Sequence, residues 1–407
     1  MTRQTPPKSA QMAEAAAQRW ARMDAATREI AAPLLAVDID AFIANAHNLV
    51  ARAGGKPIRV ASKSVRSRDL IRTVLEIPGF SGILAFSLPE ALWLAEEFTD
   101  ILVAYPSLDR EAFARLGASE TLRERVCIMV DDIAHLDAVD AVLGSGHAEI
   151  RVAMDLDAAE DVPLLPRLGV WRSPIRHPEQ VLALAREIAA RPGFRLIGAM
   201  SYEAQIAGVG NAPPGRPVRG ALVSAMQALV WPRVQERRRV LIAALRSEIT
   251  PEFINGGGTG SLELSTADPS LTELAAGSGL YGPHLFDHYS RFRPLPAFGF
   301  AGEVVRRPAD GISTVLGGGW IASGPGAPDR LPIPVWPAGL SLVGSEGAGE
   351  VQTPLRGLPS LPHGSRVWFR PAKAGETCER VSELQLVSGT RVIGVVPTYR
   401  GEGKAFL

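Results

Sequence analysis

Short apolar runs recur along the first two thirds of the chain, at residues 34–37, 58–61, 83–86, 101–104, 126–130, 150–154, 196–200 and 253–254. Segments with helical periodicity lie between them, at 43–53, 69–76, 89–98, 178–190 and 218–247. Eight strand candidates alternating with helices over about 250 residues predict a closed parallel (β/α)8 barrel. An open doubly wound sheet more often stops at five to seven strands. An Ala/Glu/Arg-rich stretch at 10–30 reads as an amphipathic helix outside the repeat. After about residue 292 prolines and glycines interrupt short β-prone runs at 303–306, 313–316, 366–369 and 391–396. The predicted organisation is an N-terminal helix over 1–30, the barrel over 31–291 and a β domain over 292–407.

Composition narrows the function. Lys plus Arg equals Asp plus Glu at 43 each, so no charge excess is present to hold nucleic acid or an anionic membrane surface. Two distant cysteines, Cys127 and Cys378, make neither a disulfide framework nor a multi-cysteine zinc site and fit a reducing compartment. The N-terminus lacks the apolar core of a signal peptide, and no run of 18 apolar residues occurs. The expectation is a cytoplasmic protein with a small-molecule substrate.

In a barrel of this type, chemistry sits just after the strands. The polar residues there are Asp38, Asp40, Ser62, Lys63, Ser87, Tyr105, Asp131, Asp132, Asp155, Asp157, Tyr202, Glu203 and Asn255. Lys63 is either a solvated rim charge or a Schiff-base lysine, a nucleophile toward aldehydes such as pyridoxal phosphate. Asn255-Gly256-Gly257-Gly258-Thr259-Gly260-Ser261 allows backbone N–H groups to converge on an anion, with hydroxyls as further donors. Its bland reading is a flexible turn. Gly277-Ser278-Gly279-Leu280-Tyr281-Gly282 adds a second small-residue loop.

These three features, in this order, resemble the pyridoxal-phosphate enzymes of alanine-racemase fold (fold type III). Within them the chain is most similar to the D-threonine aldolase and D-serine dehydratase branch, the amino acid deaminase/aldolase proteins. Arg167-Leu168-Gly169, Arg172-Ser173-Pro174, Tyr202-Glu203-Ala204-Gln205 and Pro397-Thr398-Tyr399-Arg400-Gly401-Glu402-Gly403 carry the same resemblance. It implies that Lys63 bonds pyridoxal 5'-phosphate, that Gly257, Gly258, Thr259, Gly277 and Ser278 surround its phosphate, and that Tyr281 lies close by. Tyr202 and Gln205 stand where contacts to the cofactor arise. The β domain would close the site, often from the partner subunit of a homodimer. Tyr399 and Lys373 are then candidate bases acting in trans, and His284, in a polar cluster with Asp287 and His288, is a third candidate. Arg167 and Arg172 either hold a substrate carboxylate or form ion pairs.

Two departures bear on the reaction. A Pro-x-His-x-Cys motif supplies metal ligands in the branch, whereas the corresponding stretch, Arg370 to Cys378, contains no histidine and has Lys373 near that place. An ammonium is a poor metal ligand, so a divalent metal stays undecided, with Glu376 and Cys378 as its candidate ligands. Cys378 reads more readily as a buried small hydrophobe. The arginine that meets the pyridine nitrogen in racemases corresponds here to Ala275, which argues against racemization. Glu273 would point the same way if the segment is extended, or else lies at the surface. The expected reaction is cleavage of Cα–Cβ in D-β-hydroxy amino acids. The alternatives are a D-serine or D-threonine dehydratase and a non-catalytic pyridoxal-phosphate-binding protein.

Overall fold

The computed structural model describes residues 8–162 and 166–407. Its centre is a closed parallel barrel of eight strands: β2 (Ile58–Ala61), β3 (Phe80–Ala85), β4 (Ile101–Val103), β5 (Val126–Val130), β6 (Ile150–Asp155), β7 (Phe194–Ser201), β8 (Phe253–Gly256) and β9 (Glu273–Ala276). Leu102, Ala104, Cys127, Met129, Ala153, Ile197, Met200 and Phe253 form a compact cluster of their own inside the barrel. Residues one position away, such as Ile128, Val130, Val152 and Met154, belong to the larger core beneath the helices. This is the two-residue alternation of strands buried on both faces.

The strand pattern needs two corrections. The first apolar run forms β1 (Leu34–Asp38), which is not a barrel strand. It pairs antiparallel with the strand Phe298–Ala309 and parallel with Glu383–Ser388, inside the nine-stranded mixed sheet of the second domain. A short run buried on both faces suits either sheet, and only long-range pairing chooses. The strand that closes the barrel is instead β9, with the sequence Glu-Leu-Ala-Ala, which pairs with β2 through Ile58↔Leu274 and with β8 through Asn255↔Glu273. Two alanines and a glutamate give it little apolar signal. Consequently Lys63 follows the first barrel strand, the Gly257 loop the seventh, and the Gly277 loop the eighth.

The N-terminal helix α1 (Lys8–Ala26) docks on the second domain. Trp20 and Met23 are buried with Leu34, Ala36, Ala301 and Trp368, and Arg19 Nε donates to Asp38 at 2.9 Å. Several polar residues after the strands are helix caps rather than chemistry. Asp38 accepts from Ala41 N–H at 3.0 Å, and Ser87 and Asp132 likewise cap the helices that they precede. Among the described residues no helix is long and apolar enough to cross a membrane.

Candidate functional site

A cleft opens at the C-terminal ends of the barrel strands, the usual place for a small-molecule site in this architecture. Lys63, Tyr105, Arg172, Tyr202, Asn255, Gly257, Gly258, Thr259, Gly277 and Ser278 line it. Ten of the residues singled out in the sequence therefore meet in one place: Lys63, Arg172, Tyr105, Tyr202, Asn255 and the five residues of the two glycine loops.

Lys63 occupies a short turn, Ser62–Ser64, immediately after β2. Its ammonium donates to the Tyr105 hydroxyl at 2.8 Å. The second glycine loop and the second domain each hold the backbone just after the turn. Val65 O accepts from Tyr281 Oη at 2.9 Å, and Arg66 O accepts from Tyr399 N–H at 3.0 Å. Arg66 itself has φ +52°, in the left-handed region that non-glycine residues seldom adopt. Its guanidinium donates to Lys63 O at 3.1 Å and pairs with Glu379.

The glycine loops rest on buried charge. Arg238 Nη2 donates to Glu203 at 2.7 Å and Nη1 to Asp268 at 2.7 Å, all three side chains being shielded from solvent. Glu203 also accepts from Gly257 N–H at 3.3 Å and from Ser261 Oγ at 2.7 Å. Gly257 has φ +77°, and a Cβ on Gly258 would lie 3.0 Å from the Ala207 methyl and 3.2 Å from the Tyr202 ring. Thr259 Oγ1 bridges the two loops, accepting from Gly279 N–H at 3.1 Å. At the far wall Arg172 Nη2 donates to Tyr105 Oη at 3.3 Å, with the guanidinium 5.1 Å from the Tyr202 ring centre. Burial pushes the Tyr202 phenol up to about 12. Burial also acts on Tyr105, but the adjoining Lys63 and Arg172 outweigh it and hold that phenol below its ordinary value.

Other expected site residues lie elsewhere. Arg167 takes the ion-pair reading: it bonds Asp157 at 2.7 Å, beneath Trp171. Gln205 donates to Ala158 O at 2.6 Å, bracing the loop beyond β6 instead of lining the cleft. Tyr281 is buried under the Lys63 turn and stacked on Phe298. His284 hydrogen-bonds Leu331 O at 2.8 Å, and burial lowers its pKa. Tyr399 is buried with its hydroxyl on Glu90 at 2.9 Å, behind the cleft wall of its own chain. Lys373 donates to Ser323 Oγ at 3.0 Å, and burial lowers its pKa. Glu376 accepts from Ser323 N–H at 2.8 Å, and Cys378 packs in the core with its sulfur 3.6 Å from Val65 O. Among the described residues no three His, Cys, Asp or Glu side chains converge as a metal site would require.

Glu273 is neither at the surface nor in the cleft. It is buried one layer down in the barrel, bonded to Arg59 Nε at 2.9 Å and Asn255 Nδ2 at 2.8 Å. Ala275 does line the cleft. No site role was expected for Phe86, Met200 or Phe286, which also line the cleft. The first two are found by following each strand to the inward-facing position at its end, whereas Phe286 comes from outside the repeat.

The family model described as Alanine racemase, N-terminal domain, matches residues 37–284, which include the barrel and both glycine loops. The 3-hydroxy-D-aspartate aldolase of Paracoccus denitrificans (strain Pd 1222) is 24% identical over 254 residues, 61% of this chain and 60% of that protein. The D-threonine aldolase of an Arthrobacter species is 26% identical over 263 residues, 63% of each chain. The chain thus matches about three fifths of the length of these curated relatives. Among solved structures, D-threonine aldolase from Filomicrobium marinum superposes with a TM-score of 0.72 at 21% identity, covering 91% of this chain and 96% of that one. D-threo-3-hydroxyaspartate dehydratase from Delftia sp. HT23 gives 0.68 at 20%, covering 91% and 97%. Identities this low speak for the fold, and the family match speaks for descent: the chain belongs to the alanine racemase N-terminal domain family, whose fold implies pyridoxal phosphate.

Proposed function

We propose that the chain is a pyridoxal-phosphate-dependent lyase of D-β-hydroxy amino acids, cleaving Cα–Cβ to give glycine and an aldehyde. The observation that carries this reading is the meeting of Lys63 with the Gly257–Thr259 and Gly277–Ser278 loops in one cleft. The donor set fits the cofactor: an amine for its aldehyde, and at the opposite loops hydroxyls and a glycine surface that a Cβ on Gly258 would obstruct. Lys63 would hold the aldehyde carbon, and Thr259 and Ser278 with the glycine backbone would hold the phosphate. When bound, pyridoxal phosphate supplies an electron sink for whichever bond at the substrate Cα breaks.

The chain's own groups then select and orient. Arg172 presents a permanent cation to a substrate carboxylate beside Lys63. Ala275 leaves the neighbouring wall without a positive charge, as a lyase rather than a racemase would have it. The relatives named as D-threonine aldolase and 3-hydroxy-D-aspartate aldolase support this substrate class. The proposed setting is the cytoplasm and the proposed assembly a homodimer, which sedimentation of the pure protein tests.

The deciding experiment is product analysis of the cofactor-loaded protein with D-threonine and D-3-hydroxyaspartate, with and without a chelator. Glycine with the matching aldehyde is the expected result. A 2-oxo acid with ammonia would assign the chain to the dehydratases, and retention of bound cofactor without any product would favour a binding protein.

A further inference from the structure

Tyr399, Lys373 and His284 are each engaged outside the cleft lining of their own chain, which directs attention to the residues that do line it. Of these described residues only Lys63, Arg172, Tyr105 and Tyr202 carry titratable side chains. Lys63 has the cofactor-bonding role, a guanidinium stays charged, and Tyr202 is pushed up to about 12 by burial. Tyr105 remains. Its oxygen is 2.8 Å from Lys63 Nζ and 3.3 Å from Arg172 Nη2, and in the cofactor-free protein the ammonium and the guanidinium are both donors with no lone pair to offer. The phenol oxygen must therefore accept from both, an arrangement that favours the phenolate.

We propose that Tyr105 is the catalytic acid–base residue for the substrate's β-hydroxyl. The inference rests on the lyase reading above. As phenolate, Tyr105 takes the hydroxyl proton, and the freed O–H electron pair forms the second bond of the aldehyde carbonyl. The Cα–Cβ bond breaks, and pyridoxal phosphate, held by Lys63 and the glycine loops, would supply the sink for its electron pair. Tyr105 then returns the proton to Cα, so that substrate becomes glycine plus aldehyde with no other reactant. The charged groups acting on this phenol come from several elements. Lys63 and Arg172 favour its ionisation, Lys373 lies near enough to interact, and Asp155 opposes it.

The test exploits the fact that the chain has five tyrosines. Burial raises the pKa of Tyr202, Tyr281, Tyr289 and Tyr399, leaving Tyr105 as the one that is lowered. An ultraviolet titration of the cofactor-free protein should show one tyrosine ionising ahead of the others. Tyr105→Phe should abolish that early step, and Arg172→Gln should move it to higher pH. In Tyr105→Phe, borohydride should still trap pyridoxal phosphate on Lys63, while glycine formation falls on the order of 100-fold or more. An early tyrosinate that persists in Tyr105→Phe, or a variant as fast as an active wild type, would overturn the assignment. A wild type that forms no product from either hydroxy amino acid would refute the lyase reading itself, an outcome distinct from those two.

Discussion

Gly375 lies directly against the carbonyl of Lys63: a Cβ on the glycine would stand 2.0 Å from that oxygen. Its φ of +79° is a second reason for glycine. Through this contact the second domain, distant in sequence, sets the height of the turn that carries Lys63. Gly375→Ala should therefore lower both the melting temperature and the fraction of Lys63 that borohydride can trap with pyridoxal phosphate. Gly326→Ala, in open space, is the control. Equal trapping in both variants would mean that the turn is held by other contacts alone.

Lys63→Ala should remove borohydride-stable cofactor attachment altogether, as read by the mass of the intact protein after reduction. Among the described residues its amine hydrogen-bonds Tyr105 alone, so the melting temperature of the cofactor-free protein should stay close to that of the wild type. A cofactor-mass adduct surviving in this variant would move the attachment to another lysine.

Thr259→Val should weaken pyridoxal-phosphate binding by about 10- to 150-fold, since a hydrogen bond to a charged group contributes about 1.5–3 kcal/mol. The valine also leaves Gly279 N–H without the acceptor that Thr259 Oγ1 provides. Equilibrium dialysis of the cofactor measures the change, and unaltered affinity would take Thr259 out of the phosphate site.

Arg238→Met should destabilise the fold by about 3–5 kcal/mol, because it strands the buried carboxylates of Glu203 and Asp268. Glu203 supports Gly257 N–H and Ser261, so cofactor affinity should fall with stability. Denaturant unfolding with and without pyridoxal phosphate separates the two effects. A variant as stable as wild type would show that the buried arginine is dispensable.

Two buried carboxyls make stability depend on pH. Burial raises Asp155 to about 8 and Glu90 to about 7. A carboxyl with a raised folded-state pKa binds its proton more tightly when folded, so its stabilisation is complete below the unfolded value of about 4. That stabilisation is lost progressively as pH rises toward 8. Melting temperatures should accordingly decline between pH 5 and pH 8 by this contribution, and Asp155→Asn should flatten the decline. An identical pH slope in wild type and variant would show that Asp155 does not titrate in this window.

Much of the site was legible in the chain because the chemistry is local. Lys63 sits at a strand end, and the run Gly256 to Ser261 announces an anion cradle through its residue types. The eight-strand count was legible too, though not which runs make up the eight. Leu34–Asp38 has the apolar density of a barrel strand and Glu273–Ala276 has little of it, yet the pairing partners reversed that ranking. Arg167 and Arg172 looked alike in sequence; Asp157 captured the first, and only the second reached the cleft.

What the sequence determined by itself is the alternating architecture and the placing of a lysine and two glycine loops after strands, because both depend on periodicity and on side chains a few residues apart. The tertiary structure alone decided the rest. It buried Tyr399 against Glu90, removed Gln205 and Tyr281 from the lining, and set Tyr105 between Lys63 and Arg172. The physical reason is that a phenol's acidity depends on charges within a few ångströms, and those charges come from strands and loops 42 and 67 residues distant along the chain.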